Sequence, residues 1–392
     1  MGTPEYIGLM AGIMLLTDLA IDIMLPTFEA VRQHFKLGET STATAQIVTF
    51  FFVGQLGQLA FGFFTDRFGR LPVLRVGFLL YIAGCLSAGL AASFAGLLVA
   101  RFVTGLGASA LFVSAIACVR DRFSGEAMAR TMSLILTIFL MVPVIAPLLG
   151  TWILANAGWQ MVFLSPALFA LLFWGWSWRL EESRPIGTQA LSSLSSLIVL
   201  IGQVCRNRIF FRYTALTTIL FAGFSSFIGS SERLVGKIYQ RPNLFVFIFA
   251  SVGLTMALFT FLNAQLVSRF GMRRTVRALS LTYWLVAGVL LGLTVSSQGL
   301  LPMSLFFGLV ALLQGINVAI EPNSSSLALQ PMNQTAGLAA SIYGTSYLVV
   351  GALAGSIIDR LLTGSVTALS ITYFVGGLVA LLLARTDPYP SK

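Results

Sequence analysis

The sequence predicts an all-α membrane protein that crosses the bilayer about twelve times. Of its 392 residues, 57% are hydrophobic and 10% charged, with a mean hydropathy of +0.89. A soluble domain carries about 25% charged residues. Apolar runs of about 20 residues, the length a helix needs to cross the bilayer core, recur along the whole chain. In lipid such runs are helices, because each backbone polar group must be satisfied within the segment. A barrel would show short alternating strands, and none is visible.

The spans read in order as 7–28, 42–64, 71–92, 95–119, 129–155 and 160–180, then 213–235, 244–267, 275–296, 300–329, 337–361 and 366–384. The first holds Asp18 and Asp22 and closes at Pro26; with two acids and no basic lead-in it is not a cleavable signal. The second and third flank a charged, glycine-bearing turn, and the fourth carries Arg101 near its start. Spans 129–155 and 300–329 are over-long and contain internal prolines, so tilting or kinking is expected of both. Residues 181–212 are Ser-rich, with Arg184, Arg206, Arg208 and Arg212, and form the seam between two halves. The expected organisation is a six-helix bundle over 1–183, a cytoplasmic linker over 184–212 and a second bundle over 213–392. Across the seam Asp66-Arg67-Phe68-Gly69 aligns with Ser268-Arg269-Phe270-Gly271, an offset of 202 residues.

Charge sets the expected orientation. An even number of spans puts both termini on one side. With that side cytoplasmic, 17 of the 24 Lys and Arg lie inside, 6 outside, and Arg101 within a helix. The positive-inside rule therefore places both termini in the cytoplasm. The formal charge of +10 comes mostly from arginines in short loops and does not mark a nucleic-acid binder. Cys85, Cys118 and Cys205 lack metal-binding spacing and read as core thiols. His34, the one histidine, lies in a predicted loop, and no Gly-x-Ser-x-Gly is present, so an intramembrane enzyme is not expected.

The turn Gly62-Phe-Phe-Thr-Asp66-Arg67-Phe-Gly69-Arg70 between the second and third spans resembles the signature loop of the major facilitator superfamily. Further motifs resemble its Bcr/CflA branch of drug:proton antiporters: Ile21-Asp22-Ile-Met-Leu25-Pro26, Arg101-Phe-Val-Thr-Gly105-Leu-Gly107, Val119-Arg120-Asp121, Pro143-Val-Ile-Ala-Pro147-Leu-Leu-Gly150 and Gly158-Trp159-Gln160-Met-Val-Phe163. The match is dense from Asp22 to Phe163; beyond that, hydropathy and helix count carry it. The chain departs from the pattern at Met24 and Gln160 and adds acids at Asp18, Glu232 and Glu321. The resemblance implies two pseudo-symmetric six-helix bundles around a central cavity, the major facilitator fold. It also implies a monomer in a bacterial inner membrane, driven by the proton gradient with no cofactor. The Pro143/Pro147/Gly150 motif is associated with exporters and points to efflux.

Ionisable groups inside spans are costly, so they are functional candidates. Asp18 and Asp22 are one turn apart on one helix face. Two charged carboxylates there repel one another in a low-dielectric setting, so at least one favours its protonated form, as proton coupling requires. Arg101 sits at a similar depth on the fourth span. Pairing with Asp22 would make it either part of the coupling device or a static buried ion pair. The resemblance implies a cytoplasmic gate of Gly62, Asp66, Arg67, Gly69, Arg70 and Asp121, latching the halves when the cavity faces outward. Gln55, Gln58, Glu232, Gln314, Asn317 and Glu321 are candidate cavity polars. The expected function is proton-coupled export of a small amphiphilic molecule. The alternative is proton-coupled transport of a specific metabolite or siderophore.

Overall fold

The computed structural model describes the chain apart from residues 39–40, 124, 140, 184–193, 333–335, 362–364 and 386–392. The start of the expected linker, 184–193, thus lies outside the described residues. Every regular element among the described residues is helical. The chain divides into two compact units, Met1–Leu197 and Ile198–Lys392.

In the first unit, α1 (Thr3–Asp22) runs through a short tight turn, Leu25–Thr27, into α2 (Phe28–His34). Proline has no N–H for the carbonyl four residues back. Pro26 therefore offers none to Asp22, and α1 ends at that aspartate. The second span is broken into α3 (Ala45–Gly54) and α4 (Gly57–Phe68). Next come α5 (Arg70–Gly89) and α6 (Phe94–Arg122), the latter started by Ser93 Oγ accepting from the Gly96 N–H at 3.1 Å. α6 packs against α1, α3, α4 and α5. Its contact with α3 is close because a Cβ on Gly105 would lie 2.0 Å from the Phe51 carbonyl oxygen, so only glycine lets these backbones meet.

The fifth expected span does not form as one helix. It is divided between α7 (Gly125–Phe139) and the start of α8 (Val142–Ser177). The cause is Pro143, which has no N–H for the carbonyl of Phe139, the last residue of α7. α8 is 36 residues long, about 54 Å at 1.5 Å per residue, too long for one crossing of about 30 Å. The chain redirects at Gly158, whose φ of 83° and ψ of 171° interrupt the helix. Eleven helical stretches among the described residues are long and apolar enough to cross a membrane. Dividing α8 at Gly158, with α7 completing the fifth crossing, yields the expected twelve.

The boundary falls within α9 (Leu194–Arg206), and the second unit goes on through α10 (Arg208–Arg233), α11 (Phe245–Phe270), α12 (Met272–Ser296), α13 (Met303–Leu329), α14 (Ala336–Thr345), α15 (Gly351–Arg360) and α16 (Thr367–Arg385). Two widened π-type turns, Leu234–Ile238 and Ser346–Val350, continue α10 and join α14 to α15. The sequence echo has a structural counterpart. Gly69 joins α4 to α5 at φ 102°, ψ 163°, and Gly271 joins α11 to α12 at φ 75°, ψ 156°. The first span of each unit is also the most enclosed, 78% buried in both.

Candidate functional site

At the α4–α5 turn, Asp66 occupies the last turn of α4, Arg70 opens α5, and Asp121 lies in the last turn of α6. Arg70 Nε meets Asp121 Oδ2 at 2.8 Å and Nη1 meets Asp66 Oδ1 at 2.9 Å. Nη1 also donates to the Thr65 carbonyl at 2.7 Å. Arg70 and Asp121 are enclosed, with side chains 5% and 8% exposed, whereas Asp66 is 57% exposed. The guanidinium thus holds one buried and one open carboxylate. Arg67 lies over the Phe63 and Phe68 rings, 5.9 and 5.5 Å from their centroids. The Gly62 carbonyl accepts from Thr65 Oγ1 at 2.8 Å.

Sequence reasoning missed Glu182. Its two carboxylate oxygens accept from the N–H groups of Arg70 and Leu71, at 2.8 and 3.0 Å. A carboxylate at a helix N-terminus satisfies orphan donors and complements the helix dipole. A Cβ on Gly69 would lie 2.7 Å from Glu182 Oε2. Gly69 therefore serves both the positive-φ turn and the approach of the cap. Ser183 Oγ adds a bond to Asp121 Oδ2 at 3.1 Å. The acidic pair after the sixth span was the only sequence signal, since Glu182 lies 112 residues from Arg70.

In the spans, Asp22 is buried, at 6% exposure, and Asp18 is half-buried one turn away. Among the described residues neither carboxylate has a hydrogen-bond or ion-pair partner. The expected Arg101–Asp22 pair does not form. Arg101 Nη2 instead donates to the Ala20 carbonyl at 2.9 Å, two residues before Asp22. Its guanidinium lies 4.8 Å from the Phe51 ring centroid and 5.8 Å from that of Phe163. Two ring faces and a backbone oxygen stabilise the cation without the carboxylate. The α8 motif braces the same place: a Cβ on Gly150 would lie 1.9 Å from the Ile23 carbonyl oxygen, beside Asp22. Pro147 lies inside α8, its carbonyl accepting from Thr151 Oγ1 at 2.9 Å; Pro143 opens the helix. Gly150→Ala is expected to force α8 off α1, lowering the melting temperature of detergent-purified protein by several degrees. An unchanged melting temperature would refute the close packing.

The remaining candidates divide between the units. In the first, Gln58 Nε2 donates to Gln55 Oε1 at 3.0 Å, and the buried Gln55 Nε2 has no partner among the described residues. In the second, Gln314 Nε2 donates to Tyr373 Oη at 2.8 Å, while Gln314 Oε1 and Asn317 Oδ1 are buried without partners among the described residues. Glu321 on α13 accepts from Tyr343 Oη at 3.3 Å. Glu232 is half-buried at the end of α10. The next residue, Arg233, makes a buried ion pair with Asp359 of α15, Nη2 to Oδ1 at 2.7 Å, which no spacing announced across 126 residues. Two minor expectations are corrected. His34 ends α2 and packs on Trp159, with centroids 5.0 Å apart, rather than standing in a loop. Cys85 and Cys118 are buried, but Cys205 is exposed, because it lies on the amphipathic α9 rather than in a span.

A multi-pass helical chain with an echoed glycine turn, a charge cluster at helix ends and unpaired carboxylates within spans has the form of a membrane carrier. The Major Facilitator Superfamily model matches residues 10–355, and the chain belongs to this superfamily. It is a secondary transporter and not an enzyme. It is 27% identical over 354 residues to a bicyclomycin resistance protein homolog of Haemophilus influenzae, covering 88% of this chain and 86% of that one. A chloramphenicol resistance protein of Pseudomonas aeruginosa is 29% identical, covering 88% and 80%. The multidrug resistance protein MdtL of Escherichia coli is 28% identical, covering 85% and 82%. These bacterial relatives are of the Bcr/CflA type that the motifs resemble. Among solved structures, a D-xylose-proton symporter superposes with a TM-score of 0.77 at 16% identity, covering 97% of this chain and 96% of that one. The human organic anion transporter MFSD10 superposes at 0.69 and 19% identity, covering 98% and 100%. At these identities the likeness establishes the fold.

Proposed function

We propose that the chain is a proton-coupled exporter of a small amphiphilic molecule, working by alternating access in a bacterial inner membrane with both termini cytoplasmic. The observation that carries the reading is the Asp18–Asp22 pair: two carboxylates one turn apart in the first span, without a partner among the described residues. An unpaired charge there is costly unless it takes a proton or meets a cation. Asp22 suits the carrier role, because it ends α1 where α8 braces the backbone through Gly150. Arg101, bound to the Ala20 carbonyl, holds a positive charge beside the same helix. Asp66, Arg70 and Asp121, with Arg67 and the two glycines, form the cytoplasmic gate. The drug-resistance names of three relatives support export.

The test is transport by purified protein in proteoliposomes under an imposed pH gradient, with chloramphenicol and bicyclomycin in the panel. Gradient-dependent movement of at least one amphiphile, abolished by a protonophore, is expected. Movement that ignores the gradient would overturn proton coupling. The added acids Asp18 and Glu321 favour a second reading, transport of one specific metabolite or siderophore. Unaltered drug susceptibility in expressing cells together with active metabolite uptake would select it.

A further inference from the structure

The second unit carries a row of polar groups that the proton reading does not use. Gln314, Asn317 and Glu321 are spaced i, i+3 and i+7 on α13 and so share one helix face. Gln314 and Asn317 are 1% and 2% exposed, yet among the described residues Gln314 Oε1 and Asn317 Oδ1 have no hydrogen-bond partner. Buried unpaired atoms occur elsewhere among the described residues as well, but these two share a helix face with a carboxylate. Glu321 adds a carboxylate at the end of the row, with one bond, from Tyr343 Oη, and no Lys or Arg paired to it among the described residues. Pro322, next to Glu321 inside α13, supplies no N–H to the carbonyl of Val318.

Aromatic rings stand next to this row. Tyr343 stacks on Tyr347, with centroids 6.3 Å apart and planes 10° apart. Tyr347 also meets Phe221 of α10 at 4.4 Å, and Phe221 meets Phe224 at 5.7 Å. Tyr347 sits on the widened turn Ser346–Val350, a backbone form frequent at functional sites. Glu321 decides the sign of charge that the site accepts. The amides orient a group bearing several N–H donors, and the rings offer faces to a cation and to an apolar body.

We propose that this face of α13 is a recognition site for the ammonium group of an amphiphilic organic amine, with Glu321 as its counter-ion. The proposal rests on the transporter reading and narrows its substrate to a cation, whereas chloramphenicol is a neutral molecule.

The test is equilibrium binding to full-length, detergent-purified protein. The probe is monodansylcadaverine, a fluorescent primary amine, compared with its N-acetyl derivative, which keeps the aromatic body and loses the charge. Wild-type protein is expected to bind the amine at least tenfold more tightly. Glu321→Gln, near-identical in shape, should weaken amine binding by about ten- to a hundredfold, as for a lost charge-assisted hydrogen bond. It should leave the N-acetyl compound unchanged, which also reports a folded protein. Equal affinity of wild-type protein for amine and amide would overturn the proposal, and that comparison needs no variant. So would undiminished amine binding by Glu321→Gln. Binding requires no gradient, so the two readings fail separately. The expected titrations without pH-driven transport would support the site and refute proton coupling. pH-driven transport with no preference for the amine would refute the site alone.

Discussion

Asp22→Asn is expected to bind substrate and yet fail to accumulate any against its gradient when a pH gradient is imposed. Asp22 is buried in the first span, and no described residue bonds or pairs with its carboxylate. The amide keeps the shape and a hydrogen-bonding oxygen but has no proton to release. An exchanger needs such a proton at the step where substrate and proton alternate. Removing it should reduce gradient-driven transport to the level of empty vesicles while leaving the binding constant within a few-fold. Asp18→Asn should do less: it removes a like charge one turn away and shifts the pH dependence rather than abolishing coupling. Paired measurements of binding and pH-driven flux on the same proteoliposome preparation decide the matter. Accumulation by Asp22→Asn at the wild-type level would move the carrier to Asp18 or Glu321.

Arg70→Ala is expected to give the largest loss of stability among variants of the α4–α5 charge cluster. Its guanidinium is the one partner that holds the enclosed Asp121 from α5, and it also satisfies the Thr65 carbonyl. Removing one member of a buried pair leaves an uncompensated charge, at a cost of about 3–5 kcal/mol. Asp66→Asn acts on the same cluster from its open side, at 57% exposure, where an ion pair contributes roughly 0–1 kcal/mol. That variant should fold normally, and its transport rate should fall sharply if Asp66 works as a latch. Thermal unfolding of both purified variants, with initial transport rates, separates the two roles. Equal stability of the two variants would refute the burial argument. A wild-type rate in Asp66→Asn would refute the latch.

These expectations differ in what supports them. Asp66 and Arg70 were legible because the α4–α5 turn is a contiguous string of charges and glycines between two apolar runs, and Asp121 because Val119-Arg120-Asp121 resembles a motif of the same branch. Their mutual bonds follow once three helix ends meet. Glu182 was not legible as a partner, because capping depends on where the chain returns after four more crossings. The same holds for Arg233 and Asp359, whose pairing spans 126 residues. Depth along a helix placed Arg101 near Asp22. Depth says nothing about which way a long side chain turns, and the Phe51 and Phe163 faces turn it to the Ala20 carbonyl instead.

Composition and hydropathy by themselves determined that this chain is helical and membrane-spanning, while the family resemblance and a short echo implied its two related halves. Burying backbone in lipid allows few other solutions, and each apolar run declares itself locally. The shared backbone geometry of Gly69 and Gly271 was likewise written into a four-residue echo. The tertiary structure alone decided where the fifth span breaks and which charges are satisfied. Among the described residues it also left Asp18, Asp22 and the acceptors on α13 without a full set of partners. Satisfaction of a polar group is a property of its neighbours in space, and those neighbours come from segments whose approach is set by packing of the whole unit.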